Sequence, residues 1–411
     1  MSAIRRWLVM TCLALSGGII FMLPFLREVY YIPLQQALRV SNTQLGLLSG
    51  IFGATSMICY FPGGWLADRF SPRKLMALSL WATGAAGLCF AAFPSFTVSM
   101  LIHAFWGVSI TLTFWSALIK AVRHWAPAGA QGKAFGILES GRGIAELGSS
   151  TAFLAVFARL GSGPRALARV IVLFSLANIF LGLTTWFVID DGSKKESAQE
   201  VFGRPVGLRD VRAVLRMRAV WLISAVILTA YSAYWGAYYF TPYATDVFMM
   251  SVALGGAIGV GKMWLKPFVA PLAGYAADRA GVARTVARCF AVLVLSFLIL
   301  AFLPGRAALV PVLIANAAVA SVAIFAQRGI YFALLEEGAV PLPVTGTATG
   351  FVSVAGYAPD IFMPLLGGVL LDRYPGPRGY RLLFLFIALL CLGGLMAARA
   401  LDRGGRAGRR P

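Results

Sequence analysis

An all-α polytopic membrane fold, with twelve transmembrane helices in two pseudo-symmetric six-helix bundles, is predicted by three features of this sequence. The first is composition: 59% of the 411 residues are hydrophobic and 13% charged, with a mean hydropathy of +0.79. Soluble domains carry about twice that share of charge, roughly a quarter. The second is the placement of the charge, which clusters between apolar stretches of the roughly 20 residues needed to cross hydrocarbon. The third is an internal repeat. Gly64-Trp65-Leu66-Ala67-Asp68-Arg69 returns as Gly274-Tyr275-Ala276-Ala277-Asp278-Arg279, and Gly132-Lys133-Ala134-Phe135-Gly136 as Gly346-Thr347-Ala348-Thr349-Gly350.

The spans fall at 7–36, 44–67, 74–93, 96–124, 131–158, 167–189, 219–243, 252–276, 284–303, 307–335, 345–371 and 382–399. Arg5-Arg6 before the first span resembles a leader, yet no small-residue cleavage site follows and the apolar pattern continues to Leu38. Lys and Arg crowd alternate connections: Arg69, Arg73 and Lys74, Arg123 and Lys133, the interval from Lys194 to Arg218, Arg279 to Arg288, and the C-terminal tail. The intervening loops hold few, so both termini are expected in the cytoplasm of a cell (inner or plasma) membrane protein. Residues 1–190 then form the N-terminal bundle, 191–218 a cytoplasmic linker and 219–411 the C-terminal bundle. Leu208, Val211, Val214 and Leu215 give the linker helical apolar spacing, and an amphipathic helix on the anionic leaflet is expected.

The net charge of +20 follows this alternation, so a nucleic-acid partner is excluded. Cys12, Cys59, Cys89, Cys289 and Cys391 all lie in apolar segments without ligand spacing. His103 and His124 suggest no metal, and no cofactor or catalytic constellation is visible. Gly256 to Met263 imitates a phosphate loop, but lacks the Ser or Thr after Lys262 and follows no strand. Gly368 to Arg373 copies the repeated motif on the outer side and is given no gating role beyond a possible outer contact.

Charges inside spans are costly and mark cavities. Basic groups predominate: Arg27, Lys120, Arg142, Lys262, Lys266 and Arg328 against Glu139, Glu146 and Asp360, with Glu28 near an outer end. Such a lining favours a small anionic substrate. At about 1.5 Å per residue, Arg142 and Lys266 come to similar depth from opposite halves. Arg142 is the leading ligand because guanidinium pairs bidentately with carboxylate, phosphate or sulfonate. Lys262 lies nearer the outside and Arg328 somewhat inside of centre. Lys120 either contacts substrate or snorkels, and Arg27 is a site or outer-rim residue.

Glu139, Arg142 and Glu146 share one helical face, as an ion-pair cluster or with one acid carrying a proton. Asp360, the repeat partner of Glu146, sits between Pro359 and Pro364 and implies a broken, functional helix. Glu146 or Asp360 is the favoured carrier. On the seventh span, Tyr231, Trp235 and Tyr239 form one line and Tyr234 and Tyr238 another; phenols there supply donors to a ligand or gate. Tyr243 is assigned to the aromatic belt.

The Gly-x-x-x-Asp-Arg loop and following Arg73-Lys74 resemble the signature of the major facilitator superfamily, over essentially the whole chain. Ser71 and Pro72 depart from it where a Gly and a basic residue are common. The run Asp68 to Arg73, and the stretch from Trp115 through Lys120, Trp125 and Gly132 to Gly136, are similar to the organophosphate/organic-anion branch. That resemblance implies two bundles rocking about a central site, with Asp68, Arg69, Arg73, Asp278 and Arg279 as a gating latch. The expectation is a monomeric secondary transporter of a small organic anion, working with a proton or counter-anion in the lipid bilayer. The alternatives are efflux of amphipathic compounds, or a transporter-like receptor that senses an anion.

Overall fold

The computed structural model describes residues 3–125, 131–189, 212, 214–340 and 345–407. The linker helix expected over 191–218 lies almost wholly outside them. Among the described residues the secondary structure is helical, with no strand. Among the described residues seven stretches are long and apolar enough to cross a membrane. The chain divides into two compact units, Met1–Ser197 with Ser251–Val260, and Ala198–Met250 with Gly261–Pro411.

The first unit contains α1 (Ala3–Ile19), α2 (Arg27–Leu38), α3 (Asn42–Arg69), α4 (Pro72–Phe90), α5 (Phe96–Val108), a π-helical segment Ser109–Trp115, α6 (Ser116–Trp125), α7 (Gln131–Arg159) and α8 (Pro164–Val188). The first span is not one helix, as its apolar pattern suggested. Pro24 has no N–H for the carbonyl of Ile20, and α1 stops at Ile19. Ser41 and Gln44 close a reciprocal capping box at the start of α3. Pro72 and Pro164 occupy the first turns of α4 and α8, where a missing N–H costs nothing.

The π-helical turn has local causes. The Ser109 carbonyl accepts from Ser79 Oγ at 2.8 Å and from Thr113 Oγ1 at 2.6 Å. Side-chain donors thus replace part of the helical ladder, as π-bulges require. Below this turn, Phe90, His103 and Trp106 pack edge to face. His103 is buried and donates from Nδ1 to Ser99 O at 2.8 Å, a core role.

The second unit runs through α9 (Arg218–Ala237), α10 (Phe240–Asp246), α11 (Val252–Ala280) from Gly261 onward, α12 (Val282–Phe302), α13 (Val310–Ile330), α14 (Leu334–Glu337), α15 (Thr345–Tyr357), α16 (Pro359–Arg373) and α17 (Pro377–Ala407). Its leading span is also interrupted: Pro242 deprives the Tyr238 carbonyl of its partner, and the helix breaks over Tyr238–Tyr239. The span carrying Asp360 breaks at Ala358, just before Pro359.

Tyr243 is not in an aromatic belt. It is 2% exposed, packs on Tyr380 and Phe384, and donates to Leu300 O at 2.9 Å. Arg27, open in the sequence between a site and an outer-rim residue, is buried. It is 2% exposed, donates to Ser49 Oγ at 3.2 Å and lies over the Tyr31 ring. The Tyr243 assignment fails because depth along a span says nothing about which face packs inward.

Candidate functional site

In the first unit the site forms around Arg142 on α7. Its Nη1 pairs with Glu139 one turn earlier, its Nε donates to Gly17 O at 3.1 Å, and its guanidinium lies 5.0 Å from the Trp115 ring and 5.8 Å from that of Phe21. Three local features build this geometry. The π-helical turn ends on Trp115 and sets where its ring lies. The end of α1 leaves last-turn carbonyls needing donors, and a cation there also meets the negative end of the helix dipole. Gly17 and Gly18 open the notch: a Cβ at Gly17 would lie 2.9 Å from Arg142 Cδ, and one at Gly18 2.6 Å from Arg142 O. Arg142 is 17% exposed and Glu139 55%, so their pair is largely screened. Glu146 sits half-buried one turn beyond Arg142.

In the second unit Arg328, on α13, lies 3.8 Å from the Tyr234 ring and 5.1 Å from that of Tyr231. Its Nη1 is buried without a hydrogen-bond partner among the described residues. Asp360 accepts the Trp235 indole N–H at 2.8 Å and the Tyr231 hydroxyl at 3.3 Å. Both of its donors are neutral. Tyr231 therefore joins the two charges, with its ring toward Arg328 and its hydroxyl on Asp360. Tyr234 and Tyr238 hydroxyls meet at 3.2 Å, and those of Tyr331 and Tyr357 at 3.3 Å. The helical repeat explains the assembly, because positions 231, 234 and 235 share one face of α9 and Tyr238, its C-cap, continues that face.

The remaining cations sit elsewhere. Lys262, on α11, is 4% exposed and donates to Ala237 O at 3.2 Å, with the Tyr238 ring 4.5 Å away. Lys266, one turn on, is half-buried. Lys120 donates to Ala67 O at 2.6 Å, in the last turn of α3, which carries the repeated motif. Arg69 and Arg279 are exposed, the latter over Tyr275 at 4.2 Å, and Arg73 lies over Trp186 at 5.1 Å. The side chains of Asp68 and Asp278 lie outside the described residues. Sequence reasoning missed Phe21 as a ring against Arg142, and Tyr331 and Tyr357 in the second cluster. Trp115 and Trp235 were noticed only as a motif residue and a stripe residue. Proline at 24 and 242 was the available signal for the helix ends.

A model of the Major Facilitator Superfamily matches residues 7–362. The chain is 31% identical to the inner membrane protein YqcE of Escherichia coli (strain K12) over 396 residues, 93% of this chain and 91% of that protein. It is 29% identical to the inner membrane protein YihN of the same organism over 402 residues, 96% of this chain and 94% of that one. Among solved structures, a bacterial homolog of the human lysosomal transporter Spinster, inward-facing and unoccupied, aligns with a TM-score of 0.78. That alignment covers 98% of this chain and 99% of the other at 13% identity, a likeness of fold.

Proposed function

The chain belongs to the Major Facilitator Superfamily, as a multi-pass membrane transporter and not an enzyme, and on that footing we propose that it carries a small organic anion by alternating access. The carrying observation is Arg328. A guanidinium inside a membrane-spanning helix, faced by two tyrosine rings and with a buried donor unpaired among the described residues, is costly unless something binds it. A carboxylate, phosphate or sulfonate matches that fork. Sugar phosphates and sugar acids suit the surrounding phenols, which offer hydroxyl groups to a polyhydroxylated ligand. Within the second unit Lys266 is a further basic group and Tyr234 and Tyr238 are donors; in the first unit Arg142, with Lys120, is a candidate anion ligand in its own right. The likeness of the Asp68 to Arg73 run to the organophosphate/organic-anion branch points the same way.

Asp360 is the favoured proton carrier, ahead of Glu146 and Glu139. Tyr231 lies between it and Arg328, with its hydroxyl on Asp360 and its ring toward the guanidinium, and an anion at Arg328 offsets that cation, so anion and proton binding favour each other. Anion exchange is the alternative if no acid proves essential. Asp68, Arg69, Arg73, Asp278 and Arg279 form the cytoplasmic latch in this reading, in an inner membrane like that of YqcE and YihN.

The test is thermal unfolding of the purified chain with glucose 6-phosphate, gluconate, glycerol 3-phosphate and an alkyl sulfonate. At least one should raise the unfolding temperature of the wild type and fail with Arg328→Gln. Stabilisation by neutral or cationic amphiphiles alone would overturn the proposal in favour of efflux.

A further inference from the structure

Each unit begins with a span that breaks, and at each break a cation from another helix donates to a carbonyl at the end of the first segment. In the first unit the donor is Arg142 Nε, on Gly17 O at 3.1 Å. In the second it is Lys262 Nζ, on Ala237 O at 3.2 Å, and Ala237 is the last residue of α9. The neighbouring carbonyls there already have partners: Trp235 O accepts from the Tyr238 N–H and Gly236 O from the Tyr239 N–H, each at 3.1 Å. In hydrocarbon no water can serve such a group. The charge meets the negative end of α9, where a cation is favoured.

We infer that Lys262 is a positioning residue for transport, fixing the break between α9 and α10 and, through Tyr238 and Tyr234, the aromatic wall against Arg328. The chain of contacts is continuous. Lys262 Nζ lies 4.5 Å from the Tyr238 ring, the Tyr238 and Tyr234 hydroxyls meet at 3.2 Å, and Arg328 lies 3.8 Å from the Tyr234 ring. At 4% exposure, Lys262 suits a backbone clamp better than the substrate contact expected from its place in the sequence. The two tyrosines lie between its ammonium and Arg328. The inference rests on membership of a transporter family, and its first readout is independent of the anion reading.

The experiment is amide hydrogen exchange on the full chain in nanodiscs, without added substrate, comparing wild type, Lys262→Met and Lys262→Arg. A lost charged hydrogen bond of this kind predicts exchange about tenfold faster in a peptide covering 234–243 of Lys262→Met. Helices α12 and α17 should be unchanged, and Lys262→Arg should restore protection. Unchanged exchange at 234–243, or a rise spread equally over α12 and α17, would overturn the assignment. In liposomes, with any anion that stabilises the wild type, Lys262→Met should lower the maximal uptake rate. The half-saturating concentration should stay within about twofold, consistent with a role outside ligand binding. The reverse split would make Lys262 a substrate ligand.

Discussion

The carboxylate of Asp360 accepts the indole N–H of Trp235 at 2.8 Å, and with the Tyr231 hydroxyl this gives the acid two neutral donors in mid-span. Such a carboxylate can change protonation without breaking a direct ion pair. Asp360→Asn is therefore expected to abolish uptake driven by an inward proton gradient while keeping exchange of labelled for unlabelled anion. Wild-type uptake should rise as the outside is acidified, because the carrier must load a proton there, and the variant should lose that dependence. Uptake and exchange in liposomes across outside pH check both.

Trp235→Phe keeps the ring and removes the donor. Hydrogen bonds to charged groups contribute about 1.5–3 kcal/mol, so the variant should unfold at a measurably lower temperature. Combined with Asp360→Asn, which removes the charge, the two losses should be less than additive. A double-mutant cycle on unfolding temperatures tests this coupling.

Much of this arrangement was legible in the sequence, and the illegible part has an identifiable cause. The spans, the repeat and the shared face of Tyr231 and Trp235 follow from hydropathy and helical period. The partner of that face did not: the period places Trp235 beside Tyr231, but says nothing of Asp360, far along the chain. The shared face of Glu139, Arg142 and Glu146 left an ion-pair cluster and a proton-carrying acid both open, and the structure pairs Arg142 with Glu139. The bond of Arg142 to Gly17 O required knowing that Pro24 ends α1, and its Trp115 contact depends on a π-turn that no apolar pattern encodes. Lys120 was left between ligand and snorkel, and the structure gives it a backbone carbonyl on α3.

The notch beneath Arg142 should be intolerant of a single methyl group. In Gly18→Ala the new Cβ would lie 2.6 Å from Arg142 O and 2.8 Å from the Ala145 Cβ, a backbone conflict that repacking cannot relieve. Overpacking of this kind costs about 1–3 kcal/mol. Gly143→Ala, on the same helix with nothing within 4 Å, is the control and should be neutral or slightly stabilising. Unfolding temperatures of the two variants make the comparison.

Arg328 should resist conservative replacement. Lysine cannot offer a planar fork or stack as guanidinium does on the Tyr234 ring, so Arg328→Lys is expected to weaken anion binding by at least about tenfold. Arg328→Met should abolish binding yet unfold at the same or a higher temperature, because it removes a charge that makes no ion pair among the described residues. Calorimetric titration together with thermal unfolding separates the two effects.

The most direct measurement is accumulation of the best-stabilising radiolabelled anion in liposomes carrying the purified chain, under an inward proton gradient. Wild-type protein should concentrate the anion above its outside level, and Arg328→Gln should not exceed protein-free liposomes. Accumulation by Arg328→Gln equal to wild type would contradict the account.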